Sequence, residues 1–162
     1  MGCDIHLIGQ RKLSGTTDSP EWEDVDEFFK FDRSYGMFGF WVGVRNYSGL
    51  TPLSEPRGLP DDFHPVDNDD IHAPVHDFRD DGYHSRSWFS LQELLDVDYD
   101  QMIEDRRYTE HMGGNHYDGG ATCEPGNGQV MSLREFLGSF YFEELDRMKA
   151  AGVERVVFCF DN

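Results

Sequence analysis

Positive charge is scarce in this chain. Three Lys and eleven Arg stand against 32 Asp plus Glu, a formal charge of −18 over 162 residues. Such a surface repels nucleic-acid backbones and anionic membranes, so direct binding to either is not expected. Long apolar runs are also missing. Nothing approaches the roughly 18 consecutive apolar residues of a membrane span, and no charged-then-apolar leader opens the chain. The start Met1-Gly2 has His6 where a myristoylation signal needs Ser or Thr. Three cysteines, Cys3, Cys123 and Cys159, cannot all pair internally, which fits a reducing compartment better than a disulfide scaffold. The P-loop, the dinucleotide fingerprint, zinc-finger spacing and the Gly-x-Ser-x-Gly elbow are absent from the sequence. These absences predict a cytoplasmic single domain, residues 1–162, with no membrane partner.

Aromatic residues are plentiful at 14 %, which argues for a buried core and against an acidic disordered tail. The N-terminus alternates like a strand, with Cys3, Ile5 and Leu7 on one face and Asp4, His6 and Ile8 on the other. A turn over residues 15–20 leads to a second short strand at residues 22–25. Residues 35–44, apolar and punctuated by glycine, read as a buried, poorly formed helix or tight turn. Residues 46–86 hold five of the seven prolines and no periodic segment, which makes them a long loop. Residues 111–128 form a second, glycine-rich loop. Two capping boxes follow the Ser-x-x-Glu pattern. Ser90 to Glu93 opens a short helix, Leu91 to Leu95. Ser132 to Glu135 opens the longest one, running to about residue 151 with Leu133, Phe136, Leu137, Phe140 and Leu145 at core spacing and Gly152 as its stop. The apolar run Arg155-Val-Val-Phe-Cys-Phe160 reads as a strand buried on both faces. The expected fold is α+β: a small sheet holding the N- and C-terminal strands, packed by the long C-terminal helix, with two long loops.

Asp4 and His6 project from one face of the first strand, roughly 7 Å apart at the backbone, a spacing suited to sharing a metal or polarising a water. The Asp-x-His step also opens binuclear metallophosphatases, and Gly114-Asn115-His116 echoes their Gly-Asn-His. Their Gly-Asp-x-x-Asp and Gly-His-x-His are absent, so the likeness is local. The other reading is that Asp4 and His6 pair within the sheet. Eight Asp fall between Asp61 and Asp81, with His64, His72 and His76 among them and His84 just beyond. They form a solvated acidic loop or a site for a divalent cation, although no EF-hand is written there. Arg45-Asn46 and Arg57 place guanidinium groups in acidic surroundings, where they either brace carboxylates or grip a phosphate. His84-Ser85-Arg86-Ser87-Trp88 combines imidazole, hydroxyls and Arg beside an aromatic ring. It reads equally as a nucleotide contact or as the approach to the next helix. Cys3 and Cys159 are expected in the core, and Cys123 lacks a basic neighbour that would make it a nucleophile.

The opening Met1-Gly-Cys-Asp-Ile-His6 resembles that of a family of small proteins encoded by bacteriophages and prophage-like regions. So do Gly43-Val-Arg-Asn46, Pro56-Arg-Gly-Leu-Pro-Asp-Asp62, His84-Ser-Arg-Ser-Trp88 and the closing Val157-Phe-Cys-Phe-Asp-Asn162. The resemblance implies an accessory protein of the host cytoplasm, of the class that meddles with metabolism or defence, and no particular mechanism. If the terminal strands are neighbours, Asp4, His6 and Asp161 converge, with His84 and Arg57 at the same sheet edge. The leading expectation is a metal-assisted hydrolase of a phosphate ester, phosphodiesterase-like, acting on a nucleotide or another phosphorylated small molecule. Asp4, His6 and His84 would be catalytic. Asp4, His6, His84, His116 and Asp161 would hold a divalent metal ion, and Arg45, Asn46, Arg57, Ser85 and Ser87 would hold the ligand. The alternative is a protein without chemistry that sequesters a nucleotide-like ligand or blocks a host protein. An acidic mimic of DNA is a third reading, weakened by the concentration of the acids in loops.

Overall fold

The computed structural model describes residues 2–13, 21–63, 78–109, 116–117 and 122–162. In chain order the elements are β1 (Asp4–Lys12), β2 (Trp22–Asp24), α1 (Tyr35–Val42), β3 (His84–Ser90), α2 (Leu91–Leu95) and β4 (Met102–Asp105). They continue with β5 (Tyr108–Thr109), β6 (His116–Tyr117), β7 (Gln129–Ser132), α3 (Leu133–Ala150) and β8 (Arg155–Asp161). The chain falls into two compact units. One comprises Met1–Arg33, Pro56–Asp96 and Glu144–Asn162, and the other Ser34–Glu55 and Val97–Glu143.

The first unit is built on a four-stranded antiparallel sheet of order β2-β1-β8-β3, so the N- and C-terminal strands are neighbours. The apolar run of β8 follows from its place between two strands. Arg155 through Phe160 are all buried, and only Asp161 emerges. Register divides the side chains. Asp4 faces Asp161, His6 faces Cys159 and Ile8 faces Val157, while Ile5 faces Phe160 and Leu7 faces Phe158. On the first of these faces Val157 and Cys159 pack with Phe63 and Phe78, flanked by Ile8, Leu59, Tyr83 and Trp88. On the other face Phe158 stacks on Phe89 with 5.7 Å between centroids. At the end of β3 the expected capping box starts α2. Ser90 Oγ accepts from Glu93 N, and the Glu93 carboxylate accepts from Ser90 N. The acidic segment with His64, Asp67, Asp69, Asp70, His72, His76 and Asp77 lies outside the described residues.

In the second unit, α1 has every residue from Gly36 to Val42 buried, so it shows no polar face. Gly39 is required there, because a Cβ would stand 2.7 Å from Asn46 Oδ1. Gly43 ends the helix in the left-handed region at φ 78°. Trp41 Nε1 donates to Tyr141 Oη at 3.2 Å, and the Tyr141 and Tyr99 hydroxyls are 2.9 Å apart. Two two-stranded antiparallel sheets, β4 with β7 and, between them in the chain, β5 with β6, complete this unit.

The expected long helix is present as α3, but Gly138 takes φ 78° and ψ 166°, which breaks the helical path. After the break the buried face reads Tyr141, Glu144, Leu145 and Met148, and Phe140 is 46 % exposed instead of in the core. Among the described residues no helix is long and apolar enough to cross a membrane.

Candidate functional site

Pairing β1 with β8 sets three chemistry-bearing side chains at one end of the sheet. His6 Nε2 lies 3.0 Å from Asp161 Oδ2, and Asp161 Oδ1 accepts from the backbone N–H of Asp4 at 3.2 Å. Both ends of the Asp161 carboxylate are therefore fixed by β1. The His6 ring meets the edge of Tyr83 at 4.9 Å between centroids. Burial, together with the charges of Cys159, Asp161 and Asp80, raises the Tyr83 phenol above its ordinary value and keeps it neutral. Burial also pushes the Cys159 thiol up to about 12, which removes it as a nucleophile.

The Asp4 carboxylate, across from Asp161, is gripped by Arg33 through two parallel bonds, Nε to Oδ1 at 2.6 Å and Nη2 to Oδ2 at 2.8 Å. The hydrogen bonds and charge of Arg33 hold Asp4 below its ordinary range. Gly2 makes room for the guanidinium, since a Cβ there would stand 2.7 Å from Arg33 Cζ. Sequence reasoning did not single out Arg33. It sits 29 residues from Asp4 in an aperiodic segment, and no motif marks it.

His84 goes elsewhere. From Trp88 back to His84, simple alternation leads to the Asp161 face. A one-residue register shift between His84 and Ser87, with Ser85 at φ 49°, instead sets His84 opposite Phe160. Its ring stacks on Phe160 with 6.1 Å between centroids, its Nδ1 lies 3.0 Å from Ser85 Oγ, and its Nε2 is buried without a hydrogen-bond partner. Ser87 is buried, and its hydroxyl accepts from Arg57 N. The Arg57 guanidinium forks onto Glu93, donates to Trp88 O and lies over the Trp88 and Phe89 rings. Arg57, Ser85 and Ser87 thus frame β3 and the start of α2, apart from the His6 cluster.

Arg45 and Asn46 belong to the second unit. Arg45 donates to the Tyr47 hydroxyl at 3.2 Å, and Asn46 clamps Leu50 by bonding both its C=O and its N–H. His116 lies on β6 opposite Thr109, also in the second unit, and its side chain lies outside the described residues. Among the described residues no three His, Cys, Asp or Glu side chains are grouped to hold a metal ion.

The cluster thus offers an imidazole–carboxylate pair suited to proton transfer and a carboxylate-bound guanidinium suited to exchanging one anion for another. No protein-family model, curated protein or solved structure matches this chain.

Proposed function

We propose that the protein is a bacteriophage-type accessory hydrolase that cleaves a phosphate ester of a nucleotide or other small molecule in the host cytoplasm, with His6 as its acid–base group. The His6–Asp161 pair carries this reading. With Nε2–H donated to Asp161 Oδ2, the basic nitrogen of the ring is Nδ1, and the carboxylate stabilises the imidazolium formed when that nitrogen takes a proton. Water attacks phosphorus, His6 accepts the water proton, the P–O ester bond breaks, and the proton passes to the departing alkoxide oxygen. An incoming phosphate presents to Arg33 the same bidentate geometry that Asp4 presents now.

The divalent ion expected from the sequence fits the described donors poorly as they are arranged. Both Asp4 oxygens are held by Arg33, and His6 Nε2 is held by Asp161. The acid–base step above therefore uses side chains alone.

Incubation of the purified protein with a panel of linear and cyclic nucleotides, followed by chromatography of the recovered ligand, tests the reading. Cleavage is expected, and His6→Gln and Asp161→Asn each lower the rate about 10²–10⁴-fold while leaving the melting temperature near wild type. Recovery of every ligand intact, with binding unaffected in His6→Gln, replaces hydrolysis with sequestration. Stoichiometric metal in protein purified without a metal column, lost in Asp4→Asn, overturns the metal-free step.

A further inference from the structure

Along the same strand, the outer edge of β1 has no strand partner over half its length among the described residues. Strand β2 pairs only with Gln10, Arg11 and Lys12. Alternate residues of an antiparallel strand direct their backbone groups to the same neighbour. Gly9 accepts from Val25 N at 2.8 Å and Leu13 donates to Glu21 O at 2.8 Å, so the odd-numbered residues face the β2 side. The unbroken β1–β8 register carries this alternation back to Leu7 and Ile5. Their two N–H and two C=O groups point away from β8, and none has a backbone partner among the described residues.

A cavity of about 340 Å³ runs along this edge, lined by residues 4–7 on one side and residues 28–32 on the other. The second wall is anchored: Lys30 N donates to buried Glu144, and Phe28 O accepts from Arg147. Phe28 stands at the wall with 75 % of its surface exposed. The opposite edge of the sheet is protected, because Gly58 N already bonds Arg86 O on β3. Residues 4–7 carry no Pro, no Lys and no bulge, and Asp4 is the one charged carboxylate among them.

The geometry points to strand addition: this groove binds an extended, basic peptide segment of another protein, which forms a fifth strand on Ile5 and Leu7. Backbone pairing supplies the extended conformation. The basic character follows from charge, since Glu21, Glu23, Asp24, Asp26 and Glu27 lead into the wall, Asp32 leaves it, and the chain as a whole carries −18. Several of these charges are paired, Glu23 with Arg11, Glu27 with Arg147 and Asp32 with Lys30, so the preference rests on the excess of six acids over two bases in residues 21–33. A second copy of this chain is a poorer occupant, because its β1 edge carries the same flanking wall, which a lone peptide does not. The cavity shares Asp4 and His6 with the proposed hydrolytic cluster, but strand pairing uses the backbone of Ile5 and Leu7 and does not rest on that reading.

The probe is a fluorescein-labelled seven-residue peptide alternating lysine and valine, read by anisotropy against the intact protein. Saturable binding is expected, with Ile5 and Leu7 amides gaining protection in hydrogen exchange. Methylating the alternate peptide nitrogens that face the ladder should weaken binding about tenfold or more. Leu7→Pro should do the same, and the methylated peptides give the result even if that variant misfolds. A glutamate–valine peptide should bind about tenfold more weakly still. No binding, or binding indifferent to methylation, overturns the proposal. So does concentration-dependent self-association that protects the same two amides without peptide.

Discussion

The two units share Arg-held carboxylates, Arg107 on Asp105 and Arg134 on Asp100 in the second, and differ in their coupled phenols. In the sheet unit, Arg residues hold carboxylates: Arg33 on Asp4, Arg57 on Glu93 and Arg155 on Asp62. Arg57 holds Glu93 below its ordinary value; at Asp62, burial pulls upward but is outweighed by the bonds from Arg155 and Trp22. The second unit adds a pair of hydrogen-bonded phenols. Burial raises Tyr99 to about 12 and Tyr141 well above its ordinary value. A lowered carboxylate stabilises the fold above its unfolded pKa, and that contribution is lost as pH falls through the folded value. A raised phenol contributes fully below pH 10 and loses its contribution as pH rises toward the folded value, about 12 for Tyr99. One chain therefore has an acid limit to which the Arg-held carboxylates of its sheet contribute, and an alkaline limit to which Tyr99 and Tyr141 contribute together with Tyr83 of the sheet unit.

The largest effect that breaks this contrast is apolar. Phe158→Ala removes a fully buried ring stacked on Phe89, and the expected cost is about 3–5 kcal/mol in urea denaturation, with both pH limits moving inward. A loss below about 1 kcal/mol would mean that ion pairs hold the sheet. Next comes Tyr141→Phe, which leaves the buried Trp41 N–H without its Tyr141 acceptor and removes one of the two coupled phenols. The expected cost is about 1–3 kcal/mol at neutral pH. The loss of stability above pH 10 becomes shallower and the acid side is unchanged. The smallest effect is that of Arg57→Met, which frees a partly exposed pair for about 1 kcal/mol or less. Its signature is a shallower fall of stability on the acid side, where Glu93 titrates, and an unaltered alkaline side.

Much of the sheet was legible because β8 is apolar without alternation. The starts of α2 and α3 were legible because Ser-x-x-Glu is a local pattern, complete at Ser90 and present at Ser132 as the bond from Glu135 N. The convergence of Asp4, His6 and Asp161 follows once the terminal strands are neighbours, because register alone sets them on one face. The face of His84 was not legible. It turns on the single extra residue near Ser85, whose positive φ nothing in a non-glycine sequence announces. Arg33 was hidden for another reason: a guanidinium reaching across 29 residues leaves no periodicity. Phe140 misled because helical spacing assumes an unbroken path, and Gly138 breaks it.

The place of β8 has a consequence for how the protein is made. This strand fills the centre of the sheet between β1 and β3, yet it is synthesised more than 140 residues after β1. A ribosome adding about 5–20 residues per second needs roughly 7–30 s to bridge that interval. Until then β1 has no ladder on the β8 side, and the His6–Asp161 pair does not exist because its second half has yet to be translated. The His6–Asp161 cluster is thus among the last features to form on a nascent chain, and incomplete chains carry the first strand without it.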